Sequence, residues 1–158
     1  MIVRTLDEII GSEREVHAEN GNWVSRRFVL NDDAAGFSFH ETIIKAGTET
    51  HIWYKHHIEA VYCVGGEGEI EDIKTGEVHP IKDGTLYLLN DNDEHYLRGF
   101  TDMRMICAFN PPVTGREMHD DDGAYMPHPE AEQWRLVRES GKSLFKTPSI
   151  PVRAPETD

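Results

Sequence analysis

Three histidines and one glutamate lie within nine residues near the middle of the chain, at the start of the stretch HIWYKHHIEAVYCVGGEGEIED. Imidazole nitrogens and carboxylate oxygens at this density are typical ligands of divalent metal ions. His51, His56, His57 and Glu59 are therefore the first candidates for a metal centre. Which of them bind depends on the strands that carry them, because successive side chains point to opposite faces of a strand.

Short segments rich in β-branched and aromatic residues recur along the chain, and turn-forming sequences separate them. Helical periodicity is confined to residues 5–12 and 129–140. Many short strands and few helices predict an all-β barrel or jelly roll, with short helical segments near both ends. The predicted strands cover residues 23–30, 37–45, 58–64, 67–73, 77–81, 85–89, 95–100 and 103–109.

Length and charge restrict the class of protein. The 158 residues fit one domain with a single core, and the formal net charge is -13. Nucleic acids and anionic membranes would repel this surface, so we expect neither as a partner. No apolar run approaches the ~20 residues that span a membrane. Because acids stand where a signal peptide needs an apolar core, we expect a cytoplasmic protein.

The C-terminal part of the chain differs in composition from the rest. The final stretch KTPSIPVRAPETD carries three prolines and no apolar periodicity. We predict one domain over residues 1–128 and an extension over residues 129–158. In the extension, one short helix is expected to be followed by disordered chain.

The segment that begins at Gly47 resembles the first of two motifs found in small jelly rolls of the cupin superfamily, G-x5-H-x-H-x3/4-E-x6-G. Both glycines, the spacing and Glu59 are kept, but Trp53 and Lys55 replace the two histidines that usually bind metal. The motif therefore selects Glu59 as the ligand from this hairpin. The three histidines of this stretch are not selected as ligands and are expected to form hydrogen bonds around the site: His51, His56 and His57.

The segment that begins at Gly84 resembles the second cupin motif, G-x5-P-x-G-x2-H-x3-N. The first glycine and His95 are kept. Asn90 and Asn92 replace the proline and the second glycine, and both tolerate left-handed backbone. Gly99 replaces the final asparagine. Each match is weak alone, but together, on two adjacent hairpins, they predict a cupin jelly roll.

A third ligand is needed beside Glu59 and His95. Glu59 lies on an inward strand face by alternation, where a charged carboxylate needs a partner. His95 comes from the neighbouring hairpin. Tyr87 is the candidate for the third ligand. It is two residues from Leu89, so both side chains point to the same face of the strand, and it lies close to His95 in the sequence.

The sequence as a whole resembles the ectoine synthase family of cupins. The resemblance covers about residues 1–128 and implies a hydro-lyase that closes the ring of N4-acetyl-L-2,4-diaminobutyrate. The product is ectoine, a compatible solute against osmotic stress, and water is released. A head-to-tail homodimer is also implied, in which the partner covers an exposed strand edge. The segments that carry the resemblance are GTETHIWYKHHIEAVYCVGGEGEIED, GTLYLLNDNDEHYLR, CAFNPPVTGREMHDDDGAY and REVHAENGNWVSRRFVL.

The resemblance implies roles for individual residues. Iron would be bound by a glutamate, a tyrosine and a histidine, which correspond to Glu59, Tyr87 and His95. Such an oxygen-rich set suits Fe(II) and leaves positions open for substrate, with zinc as the alternative. The family pattern has an asparagine where His40 stands, so we leave His40 out of the site. The implied substrate contacts are Trp23, Arg27, Thr42, Tyr54, Cys107, Phe109, Glu117 and His119.

Ring closure needs a polarised amide carbonyl, a neutral 2-amino group and a proton for the departing hydroxyl. Glu117 and His119 are two residues apart and face one way if extended, so together they could transfer these protons. An exposed acidic turn is the alternative interpretation of this pair. Tyr54 is the third catalytic candidate.

The other candidates shape the pocket. Arg27 could bind the substrate carboxylate through two parallel hydrogen bonds. The alternative is that its side chain is a charged group on the surface. Trp23 could wall the pocket or simply pack in the core, and Phe109 shapes it by apolar contact. Cys63 and Cys107 lie in apolar runs, which predicts reduced, buried thiols. A nucleophilic role for Cys107 is not expected, because cyclisation needs no covalent intermediate.

Two other functions are compatible with these residues: a non-catalytic cupin that binds a small molecule, and a cupin isomerase or dioxygenase with the same metal. A dioxygenase more often keeps two histidines beside its carboxylate. Tyr87 and the pair Glu117 and His119 therefore favour the cyclase.

Overall fold

The computed structural model describes residues 1–115, and most regular structure in this range is antiparallel β. One short helix, α1 (Leu6–Ile9), precedes the strands, and a 3-10 turn covers Asn31–Asp33. The strands are β1 (Glu15–His17), β2 (Trp23–Val29), β3 (Ser38–Ile44), β4 (Thr48–Ile52), β5 (Ile58–Gly65), β6 (Gly68–Asp72), β7 (Val78–Ile81), β8 (Leu86–Leu89), β9 (His95–Gly99) and β10 (Met103–Asn110).

The strands form two sheets. The larger has the order β1-β2-β3-β10-β5-β8 and the smaller has the order β4-β9-β6-β7. The chain crosses between the sheets after β3, β4, β5, β7, β8 and β9, and this connectivity is typical of a jelly roll. The predicted all-β jelly roll is therefore confirmed.

The core lies between the sheets because side chains alternate along each strand. In β10, Met103, Met105, Cys107 and Phe109 are buried, whereas the residues between them are more exposed. Leu97 on β9 joins the same cluster from the opposite sheet. Burying each large apolar side chain stabilises the fold by roughly 1.5–3 kcal/mol relative to leaving it exposed. This core is the frame for the polar groups that share the inward faces.

Two strands were not predicted from the sequence. The first, β1, has only three residues, which is too short to show the alternation of apolar and polar residues that predicts a strand. The second, β4, reads TETHI and buries only Thr50 and Ile52. Its full length pairs with β9, so a neighbour distant in sequence completes its hydrogen bonds. The predicted helix over residues 5–12 is observed as the shorter α1.

The described part of the chain, residues 1–115, contains no helix long and apolar enough to cross a membrane. The predicted helix at residues 129–140 and the predicted extension at residues 129–158 lie outside the described residues, so both stay predictions.

Two loop positions in the motifs adopt left-handed backbone. Gly66 has φ 92°, and a Cβ atom there would overlap the carbonyl oxygen of Asp102 and come within 2.7 Å of the Met103 Cα. Asn92 has φ 57°, the conformation expected from its place in the second motif. Its side chain donates a hydrogen bond to the carbonyl oxygen of Tyr54 at 2.8 Å. The turn before β9 is thereby tied to the loop before β5.

Candidate active site

The two sheets surround a cavity of about 460 Å³, a volume that includes solvent at its mouth. The wall combines apolar side chains of the core with a few polar groups. The predicted site residues that line it are Trp23, Thr42, Tyr54, Glu59, Tyr87, His95, Cys107 and Phe109.

The three predicted metal ligands enter this cavity from both sheets. Glu59 lies on β5, and Tyr87 lies on β8 directly opposite Val61. Glu59 and Tyr87 are therefore diagonal neighbours on one sheet face, a relationship that separates Cα atoms by about 7–8 Å. His95 begins β9 in the other sheet. The fold thus brings the three side chains to one cavity, and their role as ligands stays a prediction.

Burial changes the protonation of the two acidic candidates. It raises the pKa of Glu59 to about 8, and a hydrogen bond with the Cys107 thiol only partly opposes this. Burial also raises the pKa of Tyr87 well above its usual value, and the nearby Glu59 carboxylate adds to the effect. The ion pairs among residues 1–115 do not include Glu59. An ionised Glu59 therefore needs another cation beside it.

His95 is held in the tautomer that suits a metal ligand. Its Nδ1 lies 2.9 Å from the carbonyl oxygen of Asp93. A carbonyl oxygen only accepts, so Nδ1 carries the ring proton and Nε2 keeps a free lone pair. Burial lowers the pKa of His95, although the hydrogen bond to Asp93 opposes this. The ring is neutral at pH 7, which is the form that binds metals.

The chemistry of this donor set fits a divalent ion. One carboxylate oxygen, one phenol oxygen and one imidazole nitrogen are suitable for Fe(II) and are accepted by zinc. Within residues 1–115, no three histidine, cysteine, aspartate or glutamate side chains form a group that could hold a metal ion. A site here therefore depends on Tyr87 as its third ligand.

An aromatic wall closes one side of the cavity. The rings of Tyr54 and Phe109 meet edge to face, with their centroids 5.3 Å apart. Trp23 lines the cavity from β2 and is 5% exposed. These rings keep the polar groups in surroundings of low polarity.

Cys107 is a protonated thiol in this wall. Its Sγ lies 3.7 Å from Thr42 Oγ1, within reach of a weak hydrogen bond. Burial raises the pKa of Cys107 well above its usual value, and the Glu59 carboxylate adds to this. A thiol held in its neutral form is a poor nucleophile, in agreement with the expectation from sequence. Cys63 and Cys107 are both free and buried, as predicted.

Arg27 lies beside the cavity rather than in its wall. It shares the buried face of β2 with Trp23 and Ser25, and its side chain is fully buried. His40 is its direct cross-strand neighbour on β3. Burial excludes the alternative of a surface charge, and contact with substrate stays a prediction.

His40, which was left out of the predicted site, lines the cavity. It is 1% exposed, and its ring packs against Phe109 with the centroids 5.1 Å apart. The exclusion rested on residue type, because the family pattern has asparagine at this position. Strand alternation could have found His40, since it shares the inward face of β3 with Ser38.

The histidines of the first motif do not line the cavity. His51 Nε2 lies 2.9 Å from Glu94 Oε1, and His56 is exposed. His57 is buried with its ring centroid 6.3 Å from that of Phe109. All three therefore lie outside the cavity wall, and their predicted hydrogen bonds around the site stay a prediction.

Glu117 and His119 lie outside the described residues. Their predicted part in proton transfer stays a prediction.

Comparison with known proteins agrees with this geometry. The sequence profile of ectoine synthase matches residues 1–129. The chain belongs to the ectoine synthase family. The ectoine synthase family, which the sequence as a whole resembles, is confirmed, and so is the prediction of a hydro-lyase.

Relatives in this family match nearly over their full length. The L-ectoine synthase of Desulfosudis oleivorans is 66% identical over 126 residues, which cover 79% of this chain and 96% of the relative. A crystal structure of ectoine synthase from P. lautus has a TM-score of 0.73 at 50% identity and covers 82% of this chain and 92% of that chain. An RmlC-like cupin from Desulfovibrio desulfuricans has a TM-score of 0.52 at 20% identity, covering 72% of this chain and 99% of that chain. The predicted cupin fold is therefore confirmed.

Proposed function

We propose that the chain closes the ring of N4-acetyl-L-2,4-diaminobutyrate to form ectoine and water. The observation that carries this proposal is a single cavity whose wall contains eight of the site residues predicted for an ectoine synthase.

The proposal includes a metal ion, Fe(II) or alternatively zinc, held by Glu59, Tyr87 and His95. Their common cavity supports it, as does the free Nε2 lone pair of His95. The raised pKa of buried Glu59 supports it as well, because a cation would compensate the charge of its carboxylate. When bound, the ion supplies a Lewis acid that polarises the acetyl carbonyl of the substrate.

The surrounding side chains bind and fold the substrate. The aromatic wall of Tyr54 and Phe109, with Trp23, excludes water and brings the 2-amino nitrogen close to the acetyl carbon. The Thr42 hydroxyl and the neutral Cys107 thiol are the polar groups on this side. Arg27 supplies positive charge next to the cavity, which favours the substrate carboxylate nearby.

Ring closure moves two protons. The 2-amino nitrogen forms a bond to the acetyl carbonyl carbon, the carbon–oxygen bond breaks, and a carbon–nitrogen double bond remains in the ring. Both protons of the amine leave with the oxygen as water. Glu117 and His119 are proposed to take protons from the amine and return them to the oxygen, with the Tyr54 hydroxyl as the third participant.

The proposal is tested with protein purified without oxygen and loaded with one equivalent of Fe(II) or of zinc. Incubation with N4-acetyl-L-2,4-diaminobutyrate should give ectoine, observed by NMR, and the metal-stripped protein should give far less. No cyclic product from either loaded form would refute the cyclase. Substrate binding without turnover would then favour the non-catalytic cupin.

The second part of the proposal is a homodimer. The strand β8 lies at an edge of the larger sheet, and its Leu86 and Leu88 are 62% and 51% exposed. Tyr62 lies directly opposite Leu86 on β5 and is also exposed, so the apolar surface continues inward from the edge. A second copy that covers this edge would satisfy both its backbone groups and its apolar side chains.

Sedimentation velocity tests the homodimer. The protein should sediment as two chains of 18.0 kDa each. Leu86→Lys should shift it toward the monomer, whereas Val78→Lys on β7, the edge strand of the other sheet, should not. A monomeric wild-type protein would refute this part of the proposal.

A cytoplasmic location is the third part of the proposal. The free thiols of Cys63 and Cys107 support it, because a reducing compartment keeps cysteines unpaired. Cell fractionation followed by immunodetection tests it, and recovery of the protein outside the cytoplasmic fraction would contradict it.

A further inference from the structure

A second cavity reaches two of the proposed metal ligands. Its wall includes residues of β7 and β8, which are edge strands of the two sheets, and its volume of about 590 Å³ includes open solvent. Tyr87 and His95 line this cavity as well as the main one. These two side chains are therefore reached from both cavities, and the reaction described above uses only the main one.

The walls of the two cavities differ in charge. Among the described residues that line the main cavity, Glu59 is the only carboxylate, and most of the others are apolar or aromatic. The second cavity is lined by two carboxylates, those of Asp72 and Asp93, together with Asn90 and the exposed His79. A hydrated divalent cation is attracted by carboxylates and is disfavoured by an apolar wall. The second cavity is therefore the more favourable approach for a metal ion.

The carboxylate of Asp72 lies next to one of the proposed ligands. Asp72 is the direct cross-strand neighbour of His95 in the pairing of β6 with β9. Its Oδ1 accepts hydrogen bonds from the backbone N–H groups of Lys74 at 2.8 Å and Thr75 at 3.2 Å, which fix the side chain. The ion pairs among residues 1–115 do not include Asp72. Its charge is thus held in place without a neutralising salt bridge in this part of the chain.

Asp93 supplies the second charge from the turn before β9. Its carbonyl oxygen lies 2.9 Å from Nδ1 of His95, and its Oδ2 accepts a hydrogen bond from the Asp91 N–H at 3.2 Å. Over the same residues, 1–115, Asp93 also forms no ion pair. Two carboxylates of one sign in a cleft raise the local concentration of cations.

The second cavity attracts a cation without retaining it. Within the described range, no three histidine, cysteine, aspartate or glutamate side chains form a group that could hold a metal ion. An ion drawn in by the two aspartates therefore finds its next ligands at Tyr87 and His95, which also belong to the main cavity. These properties are those of an entrance and differ from those of a second metal site.

We propose that the divalent metal ion enters its site through this second cavity, attracted by Asp72 and Asp93, while the substrate enters through the main cavity. This inference rests on the proposed function, because the metal site at the end of the route is the one named there. Asp72 and Asp93 are then residues of metal delivery, outside both the ligand set and the substrate contacts.

The rate of metal uptake tests the role of the two charges. Metal-stripped full-length protein is mixed with zinc in a stopped-flow instrument, and a fluorescent zinc indicator reports the ion that remains free. Asp72→Asn and Asp93→Asn remove the charge but keep an oxygen that accepts the same hydrogen bonds. Each should slow association by roughly 3- to 10-fold at low salt, and by less at about 0.5 M salt. Glu67→Gln, at an exposed side chain next to the opposite end of β6, is the matched control and should take up zinc as wild type does.

Obstruction of the cavity tests the route itself. His79 lines the second cavity from β7 with a side chain 61% exposed, so His79→Trp should narrow the opening. Uptake of zinc and its release to excess chelator should then slow by the same factor, more than about threefold, because a narrowed path changes the rates and leaves the end states alone. The equilibrium affinity should stay at the wild-type value. Val78→Trp places the same side chain on the opposite face of β7 and should change neither rate.

Wild-type rates in the two aspartate variants and in His79→Trp would overturn the inference, as would equal slowing in Glu67→Gln or Val78→Trp. Uptake by the wild type that does not depend on salt would overturn it even if the variants failed to fold.

Failure of this inference is distinguishable from failure of the proposed function. A wild type that binds zinc but makes no ectoine refutes the cyclase, while the uptake rates still decide on the route. A wild type that makes ectoine, with unchanged uptake in the variants, refutes only the route. A wild type that binds neither zinc nor Fe(II) refutes the metal site and the route together.

Discussion

The side chain of Asn92 joins the two loops that precede the first and last of the proposed metal ligands. Its Nδ2 donates to the carbonyl oxygen of Tyr54 at 2.8 Å and to that of His57 at 3.2 Å. Trp53 Nε1 donates in return to the carbonyl oxygen of Asn92 at 3.0 Å. One asparagine in left-handed backbone thus sets the distance between two hairpins that belong to different sheets.

Removal of this bridge should destabilise the protein. Asn92→Ala loses both hydrogen bonds and places alanine at φ 57°, so we expect a loss of roughly 2–4 kcal/mol. Asn92→Gly loses the same bonds but tolerates the backbone, so its loss should be smaller by about 1 kcal/mol. Urea unfolding measures both. Equal stability of Asn92→Ala and wild type would contradict the bridge.

Two glycines of the motifs should differ in their tolerance of alanine. A Cβ at Gly66 would overlap the backbone of Asp102, whereas a Cβ at Gly84, which also has positive φ, would meet nothing within 4 Å. Gly84→Ala should therefore cost only backbone strain, about 1–2 kcal/mol, and Gly66→Ala should cost more than about 3 kcal/mol or prevent folding. Thermal unfolding of the pair measures the difference, and similar melting temperatures would contradict it.

Loss of Glu59 should remove the metal without removing the fold. Glu59→Ala takes away one of the three proposed ligands, and the apolar core does not depend on this side chain. Metal content and ectoine formation should fall together, while circular dichroism stays like that of wild type. Glu77→Gln, at a side chain 71% exposed, is the control and should keep both. Full metal occupancy in Glu59→Ala would refute the assignment.

Metal affinity should rise with pH. Without a cation, Glu59 holds its proton up to about pH 8 and Tyr87 holds its proton well beyond that. Binding displaces both protons, so the logarithm of the affinity should rise by about two per pH unit below pH 8 and by about one above it. In Tyr87→Phe one proton fewer is released, so each slope should fall by one. Competition with a chelator measures the slopes, and a pH-independent affinity would contradict the proposed ligands.

The contribution of Glu59 to the stability of the metal-stripped protein should fall as pH rises. Burial raises the pKa of Glu59 from 4.5 to about 8, so between these values the folded state binds more protons than the unfolded state. The Glu59 contribution to the free energy of unfolding therefore decreases through this window and levels off above pH 8, with a total change of at most roughly a few kcal/mol. Glu59→Gln has no such proton and should lose this part of the pH dependence, which chemical unfolding at several pH values measures.

Spacing and alternation along single hairpins were enough to predict much of the site. Glu59 and His95 follow from two motifs whose glycines and turn residues act locally, each within a single hairpin. The inward face of β10, with Cys107 and Phe109, follows from strict alternation over one strand. These features depend on residues that are near neighbours in the chain, and they can therefore be predicted from the sequence alone.

Other features depend on neighbours that are distant in sequence. The strand β4 is mostly polar, and its pairing with β9 decides that it is a strand. The register between β5 and β8 makes Tyr87 a diagonal neighbour of Glu59, and burial by both sheets raises the pKa of that carboxyl group to about 8. Only the tertiary structure decides these points.

His40 and Arg27 show the same division between sequence and structure. The family resemblance left His40 out of the site and put Arg27 in it, whereas packing places His40 in the cavity wall and Arg27 beside the cavity. The sequence by itself determined the family, the fold and the principal polar residues, because local patterns encode them. Which of those residues face the cavity, and in which protonation state, was decided by the tertiary structure, because contacts between the two sheets set burial and charge.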